Sequence, residues 1–234
     1  MCTRYFLLKD QLAEIFRALG LEPRASFVSR YNLAPGQYLP AIRTSAAGTR
    51  AAVELSWGLL PAWAAADGTR QTNARAETLE AKPSFRDAYR QRRCLLPASG
   101  FYEWEKRDRA RLPWAFQRPD GRPFCLAGLW ESRPLPDGRA FETCAIVTTT
   151  PNGLMQPIHH RMPVILGADQ AARWLDPQAR PEQLAPLLRP VPDDRLAARR
   201  VSTRMNRAAV DDAACLLPPE PGSESGPQTR LEFA

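Results

Sequence analysis

Apolar residues recur at helical spacing in only three stretches of this chain. Leu12, Ile15, Phe16 and Leu19 share one face of a helix expected over 11–19, with Asp10 as its cap and Gly20 as its stop. The spacing predicts a second helix over 168–175 and a third over 181–188, with Pro181 in the first turn. Elsewhere the pattern is that of strands: 94–97, 101–105, 123–130, 143–149 and 163–166 are short apolar or β-branched runs. Asp120-Gly121 and Asp137-Gly138 bound several of these, and Asp120-Gly121 sits between two runs as a hairpin turn would. The pattern predicts an α+β protein, a single domain with a mostly antiparallel, barrel-like β core and a few peripheral helices. That domain is expected to fill residues 1–217. From Pro218 the apolar period is lost, and 218–234 is expected to be a disordered tail.

Composition narrows the classes. The 234 residues suffice for a sizeable core, and the 23 prolines, spread along the chain, argue against long helices. No run of about 18 apolar residues and no signal-peptide core follows Met1, so a soluble, cytoplasmic protein with no membrane partner is expected. Five scattered cysteines without a Cys-x-x-Cys pair support neither a disulfide framework nor a zinc knuckle. The only histidines are His159 and His160, which excludes a His-rich metal site; no metal and no cofactor are expected. A net charge of +7, carried mostly by arginine, suits a polyanionic partner without identifying it. No heptad or unexplained apolar stripe calls for a second copy, so a monomer is expected.

The residue with the most distinctive chemistry is Cys2. It becomes the first residue once Met1 is removed, and aminopeptidases trim Met before small side chains. The chain would then begin with an amine and a thiol on neighbouring carbons. Such a 1,2-aminothiol condenses with an aldehyde to an imine, which the sulfur closes to a thiazolidine. An α-amine titrates near ~7.7–8.0 and a thiol near ~8.5, so both are partly deprotonated near neutrality. The plainer alternative is that Cys2 packs as a small hydrophobe.

Further segments carry candidate chemistry. Tyr31-Asn32-Leu33-Ala34-Pro35-Gly36-Gln37 is rich in turn formers, and Trp57-Gly58-Leu59-Leu60-Pro61-Ala62-Trp63 sets two tryptophans around a Gly/Pro frame. Asn73-Ala74-Arg75-Ala76-Glu77-Thr78 gathers an amide, a guanidinium and a carboxylate. In Phe101-Tyr102-Glu103-Trp104-Glu105, Glu103 stands between aromatics, where partial desolvation would raise its pKa and suit it to proton transfer. Ile158-His159-His160-Arg161-Met162-Pro163 holds the only imidazoles. Each has a bland reading as core, turn or solvated surface.

Taken together, in order, these segments resemble the SRAP (SOS response-associated peptidase, or abasic-site processing) family. Its motifs read Met-Cys-Gly-Arg-Phe, Tyr-Asn-x-Ala-Pro, Trp-Gly-Leu-x-Pro, Asn-Ala-Arg-x-Glu-Thr, Arg-Cys-Leu-x-Pro, Gly-Phe-Tyr-Glu-Trp and His-x-Arg-Met-Pro. The matching positions here are 1–5, 31–35, 57–61, 73–78, 93–97, 100–104 and 159–163, with Ala127-Gly128-Leu129-Trp130 and Val201-Ser202 continuing the match. Thr3 departs from it, standing where the family has glycine.

The resemblance implies a covalent adduct between Cys2 and the aldehyde of an abasic site in single-stranded DNA, with strand cleavage by lyase chemistry as a competing route and self-removal of Met1. It implies Asn73 as the group orienting the amine and sugar oxygens, Glu103 as general acid/base, and His159 as the assistant in proton transfer, with His160 second. Arg4, Arg75 and Arg161 are the phosphate-binding candidates, since a guanidinium fork matches phosphate oxygens. Trp63 and Trp104 are candidates for base stacking. The turn holding Asn32 and Pro35 is expected to line the DNA cleft. Two rival readings stay open: an N-terminal-nucleophile peptidase or amidase using Cys2, and a noncatalytic single-strand binding module.

Overall fold

Strand formation in this chain is driven by closure and stacking more than by alternation within single strands. The computed structural model describes residues 2–22, 27–45, 47–107 and 110–220. In chain order its elements are β1 (Tyr5–Leu7), α1 (Lys9–Ala18), β2 (Arg30–Leu33), β3 (Tyr38–Thr44), β4 (Arg50–Trp57), β5 (Asn73–Arg75) and α2 (Pro83–Gln91). Next come β6 (Arg93–Ala98), β7 (Gly100–Arg107), β8 (Ala110–Gln117), β9 (Phe124–Pro134) and β10 (Ala140–Thr149). The chain continues through β11 (Met162–Pro163), β12 (Ile165–Leu166), α3 (Ala168–Leu175), α4 (Pro181–Leu184) and β13 (Ala197–Arg200).

Five strands form a ring: β10 pairs with β4, β4 with β3, β3 with β6, β6 with β9, and β9 with β10. Only the β10–β4 contact in this ring is parallel, at Thr143↔Ser56 and Cys144↔Trp57. Ring closure leaves none of the five with a free edge. β6 is buried along its whole length and is also packed by α1, α2 and α3, which explains its unbroken apolar run. The expected α+β, mostly antiparallel, barrel-like architecture is the one observed.

A second, wholly antiparallel sheet has the order β13-β8-β7-β1-β2. β1 lies in its interior, so the start of the chain is threaded between β7 and β2. On one face Phe101 stacks on Phe116 at 5.1 Å and joins the main core. On the other, Phe6, Tyr102 and Ala115 pack under Val201, Met205 and Cys215 of a C-terminal strap, residues 201–217. Gly100 is required where these layers meet: a Cβ there would lie 2.3 Å from the Phe6 ring and 2.6 Å from the Phe116 carbonyl oxygen.

The predicted helices need one correction of capping and one of length. α1 begins at Lys9, two residues early, and Leu8 holds the cap position; Asp10 lies inside the first turn, where its charge faces the positive end of the helix. Gly20 ends it as expected, at φ +73° with Leu21 N–H donating to Phe16 O. α3 has the predicted bounds, whereas the third helix is α for one turn and 3-10 over Ala185–Leu188, since Pro186 has no N–H to continue the ladder. Asp137-Gly138 is a true hairpin turn between β9 and β10. Asp120-Gly121 turns the chain but makes no hairpin, because β8 is held between β7 and β13 while β9 belongs to the barrel. Among the described residues, no helix is long and apolar enough to cross a membrane. The expected tail lies outside the described residues from 221 onward.

Candidate active site

The threading of β1 delivers Cys2 to a buried position. Tyr102 N–H donates to Arg4 O at 3.0 Å, so the segment before β1 continues alongside β7. Cys2 is fully buried, with Sγ 3.9 Å from Arg4 O. Glu103 follows Phe101 at strand period on the covered face of β7 and is 2% exposed. Loss of hydration there pushes its carboxyl up to about 7. Burial pushes the Cys2 thiol well above its ordinary value, and the nearby Glu103 charge adds to that rise.

His159 closes the other side. Its Nδ1 lies 4.0 Å from Glu103 Oε1, wide enough for a reacting atom or water to mediate between them. Nδ1 is also 3.0 Å from both the amide nitrogen and the carbonyl oxygen of Arg161, which fix the orientation of the ring. Desolvation pushes the imidazole down to about 4, leaving it neutral at physiological pH. His160 stacks on it at 4.4 Å but is exposed, so His159 is the member of the pair that faces Glu103.

Arg161 explains how the motifs are fastened together. Its guanidinium grips Glu77 through two bonds of 2.7 and 2.9 Å and donates to Thr148 O at 2.6 Å. That clamp ties the segment after β5 to the loop carrying His159, and it pulls the Glu77 carboxyl down. Asn73 opens β5, which runs parallel to β10 with Asn73 opposite Ile146. Its Nδ2 donates to Thr72 Oγ1 at 3.1 Å, while its buried Oδ1 has no hydrogen-bond partner among the described residues. The Thr72 carbonyl is held by Trp57 Nε1 at 2.9 Å, and Trp57 packs on Tyr5 of β1 at 5.6 Å. Outside Asn73, a cleft of about 350 Å³ is lined by Arg70, Arg75, Lys82 and Phe85.

The remaining candidates divide. Arg4 donates to Asn32 Oδ1 at 2.9 Å and Met205 O at 3.0 Å, and its guanidinium lies 6.0 Å from the Trp104 ring centroid. Asn32 is fully buried, with Nδ2 at 3.0, 3.0 and 2.7 Å from the carbonyls of Met205, Arg207 and Val210. Both its ends are therefore spent inside the protein, as are the two terminal nitrogens of the buried Arg161. Trp57 is core, whereas Trp63 is 70% exposed, and Pro35 and Arg75 are exposed. Cys2 and His159 are thus grouped around Glu103 in the middle of β7, Asn73 and Arg75 lie beside β10, and Arg4, Asn32 and Trp104 gather under the strap. Glu77 and Thr148 were not singled out from the sequence as the clamp's partners, nor were Asp211 and Asn206, which fasten the strap. Glu77 lay within a quoted motif; the strap residues carry no local signal.

A buried cysteine at position 2 near a carboxyl that burial pushes up to about 7, on a barrel extended by a second sheet, defines a class. Residues 1–208 match the SOS response associated peptidase (SRAP) family, and the chain belongs to it. It is 39% identical over 212 residues to the abasic site processing protein YoqW of Bacillus subtilis (strain 168), covering 88% of this chain and 94% of that one. It is also 29% identical to the abasic site processing protein YedK of Escherichia coli (strain K12), over 75% of this chain and 79% of that one. A crystal structure of a Bacteroides thetaiotaomicron protein superposes with a TM-score of 0.82, covering 93% of this chain and 99% of that chain at 24% identity.

Proposed function

We propose that this chain processes abasic sites in DNA by covalent capture of the ring-opened sugar aldehyde in single strands. The observation that carries the reading is the Glu103 carboxyl, pushed up to about 7 beside Cys2 and 4.0 Å from His159. Near neutrality such a group is present in both protonation states, as a general acid that must later act as a base requires. Once Met1 is removed, the Cys2 amine adds to the aldehyde carbon to form a carbinolamine. The acid form of Glu103 protonates the departing hydroxyl, water leaves, and the imine forms. The sulfur then bonds to the imine carbon while the thiol proton passes to nitrogen, closing the thiazolidine. The net loss is one water.

Asn73 Oδ1, an acceptor without a partner among the described residues, would hold an amine hydrogen. Neutral His159 would relay protons from the opposite side of Glu103. An imine acidifies the adjacent sugar carbon, so β-elimination and strand cleavage compete until the ring closes. Burial of the Cys2 thiol favours amine-first chemistry over direct thiolate attack on a peptide carbonyl, which argues against the peptidase reading. Arg75, Trp63, Pro35 and the Arg4–Trp104 pair would contact the strand, whereas Asn32 and Arg161 would act by holding those groups in place. A monomer acting on chromosomal DNA in the cytoplasm completes the proposal.

The test is a denaturing gel of the protein with a labelled single-stranded oligonucleotide bearing one abasic site, without borohydride. A heat-stable shifted band that vanishes in Cys2→Ala is expected. Cleaved strand without a band would show lyase chemistry alone, and neither product from chain lacking Met1 would end the proposal.

A further inference from the structure

The strap contributes to the site in a way that the catalytic motifs do not disclose. It leaves β13 and turns through Thr203–Asn206, with Ser202 Oγ accepting Arg204 N–H at 3.3 Å. Its far end is fastened to the second sheet: Asp211 Oδ1 accepts the amides of Tyr31 and Asn32 at 2.5 and 2.9 Å, and Asp211 also pairs with Arg30. Ser202 N–H donates to Leu217 O at 2.8 Å, closing the strap on itself. Along its inner side, carbonyls are turned toward the start of the chain: Met205 O takes Arg4 at 3.0 Å, and Asn206 O takes the same guanidinium at 3.5 Å.

The side chain of Asn206 reaches in the other direction. Its Oδ1 accepts the Trp104 indole N–H at 2.7 Å, although Asn206 itself is exposed. Trp104 directly follows Glu103 on β7, packs against the cluster beneath the strap and is only partly buried. An indole in that setting has one polar handle, and the direction of that handle decides where the ring face points. Arg4 lies two residues after Cys2 and Trp104 directly follows Glu103, so the two groups that the strap fixes adjoin the site along the chain.

We propose that Asn206 is a positioning residue for strand binding: by holding the Trp104 indole beside Arg4, it presents a preformed stacking platform to the base next to the captured sugar. This rests on the abasic-site reading for its biological meaning, but not for its first test. Preformation matters because a ring that must be ordered on binding costs affinity. The loss should therefore fall on strand affinity and not on the chemical step.

Two measurements decide it, on the full chain freed of Met1. The first is the indole N–H resonance of Trp104, assigned with Trp104→Phe, in wild type and Asn206→Ala. In the variant that resonance is expected to shift and to exchange faster with water, with the other tryptophan signals unmoved. An unchanged Trp104 signal would overturn the proposal. The second is capture of abasic single strand as a function of DNA concentration. Asn206→Ala should raise the half-saturating concentration about fivefold, the worth of one neutral hydrogen bond, with the saturating rate held. In a Trp104→Phe background the same change should add less than about twofold, since the handle is already gone. Additive losses, or a fall in the saturating rate alone, would contradict a positioning role. Should wild type capture no abasic DNA, the functional reading fails, while the resonance and affinity for an intact single strand still decide the role of Asn206.

Discussion

Glu103 is a carboxyl whose titration is set by missing water, since only 2% of the residue is exposed. Its proton is held more tightly in the folded chain, with the pKa moved from 4.5 to about 7. That burden is absent below about 4.5, grows between about 4.5 and 7, and levels off above 7, where the folded state carries a desolvated charge. Glu103→Gln should therefore stabilise the protein at pH 8 by up to about 3 kcal/mol, with no gain at pH 4.5, while abolishing efficient capture. Urea midpoints at the two pH values measure this, and an equal effect at both would contradict the assigned burial. The sequence already set Glu103 among aromatics and Cys2 behind a removable Met. It could not reveal that β7 turns Glu103 inward, because Phe101 and Trp104 flank it on both strand faces. Nor could it show that Asn32 and the terminal nitrogens of Arg161 are bonded within the protein, since their partners are up to 178 and 84 residues away.

Elements were legible in proportion to how far they bury an apolar face of their own. α3 was read correctly because Ala171, Trp174 and Leu175 mark one side without interruption. α2 was missed because Phe85, Ala88 and Tyr89 are diluted by Arg86, Asp87, Arg90 and Gln91. β2, β3 and β4 were missed as well: arginines, a proline and Glu54 interrupt their alternation, and pairing across the ring defines them. β5 has three residues and exists through its parallel contact with β10. The pairing of β1 with β7, at the point where two layers meet, makes a firm prediction at this scale. Gly100→Ala drives a methyl into Phe6 and the Phe116 carbonyl, and should cost about 1–3 kcal/mol while shifting Cys2 relative to Glu103. A melting temperature and capture rate both equal to wild type would show that the layers can part without cost.

For the whole molecule, the class of fold and its barrel-like core are readable, and the particular pairings that close the barrel are not. Five short runs announced a β protein, but the ring depends on β9 and β10 pairing at their hairpin and on β10 reaching β4. The second sheet matters most for function, because it takes the chain's beginning into its interior and lays the strap over it. Charge acts at this scale too. With a net charge of +7 and Arg75 and Lys82 along one cleft, binding to an undamaged single strand should weaken with salt. Two to four phosphate contacts correspond to a logarithmic slope of roughly −1.4 to −2.8, and a slope near zero in an anisotropy titration would remove phosphate recognition from the account. The central claim is that the amine and thiol of Cys2 together trap the sugar aldehyde. Its most direct test is the intact mass of the unreduced adduct after denaturation, with Cys2→Ser in parallel. The account predicts a species equal to the chain beginning at Cys2 plus the oligonucleotide less one water, durable in wild type and lost from the serine variant on denaturation. An adduct that retains Met1, or one equally durable with serine, would contradict it.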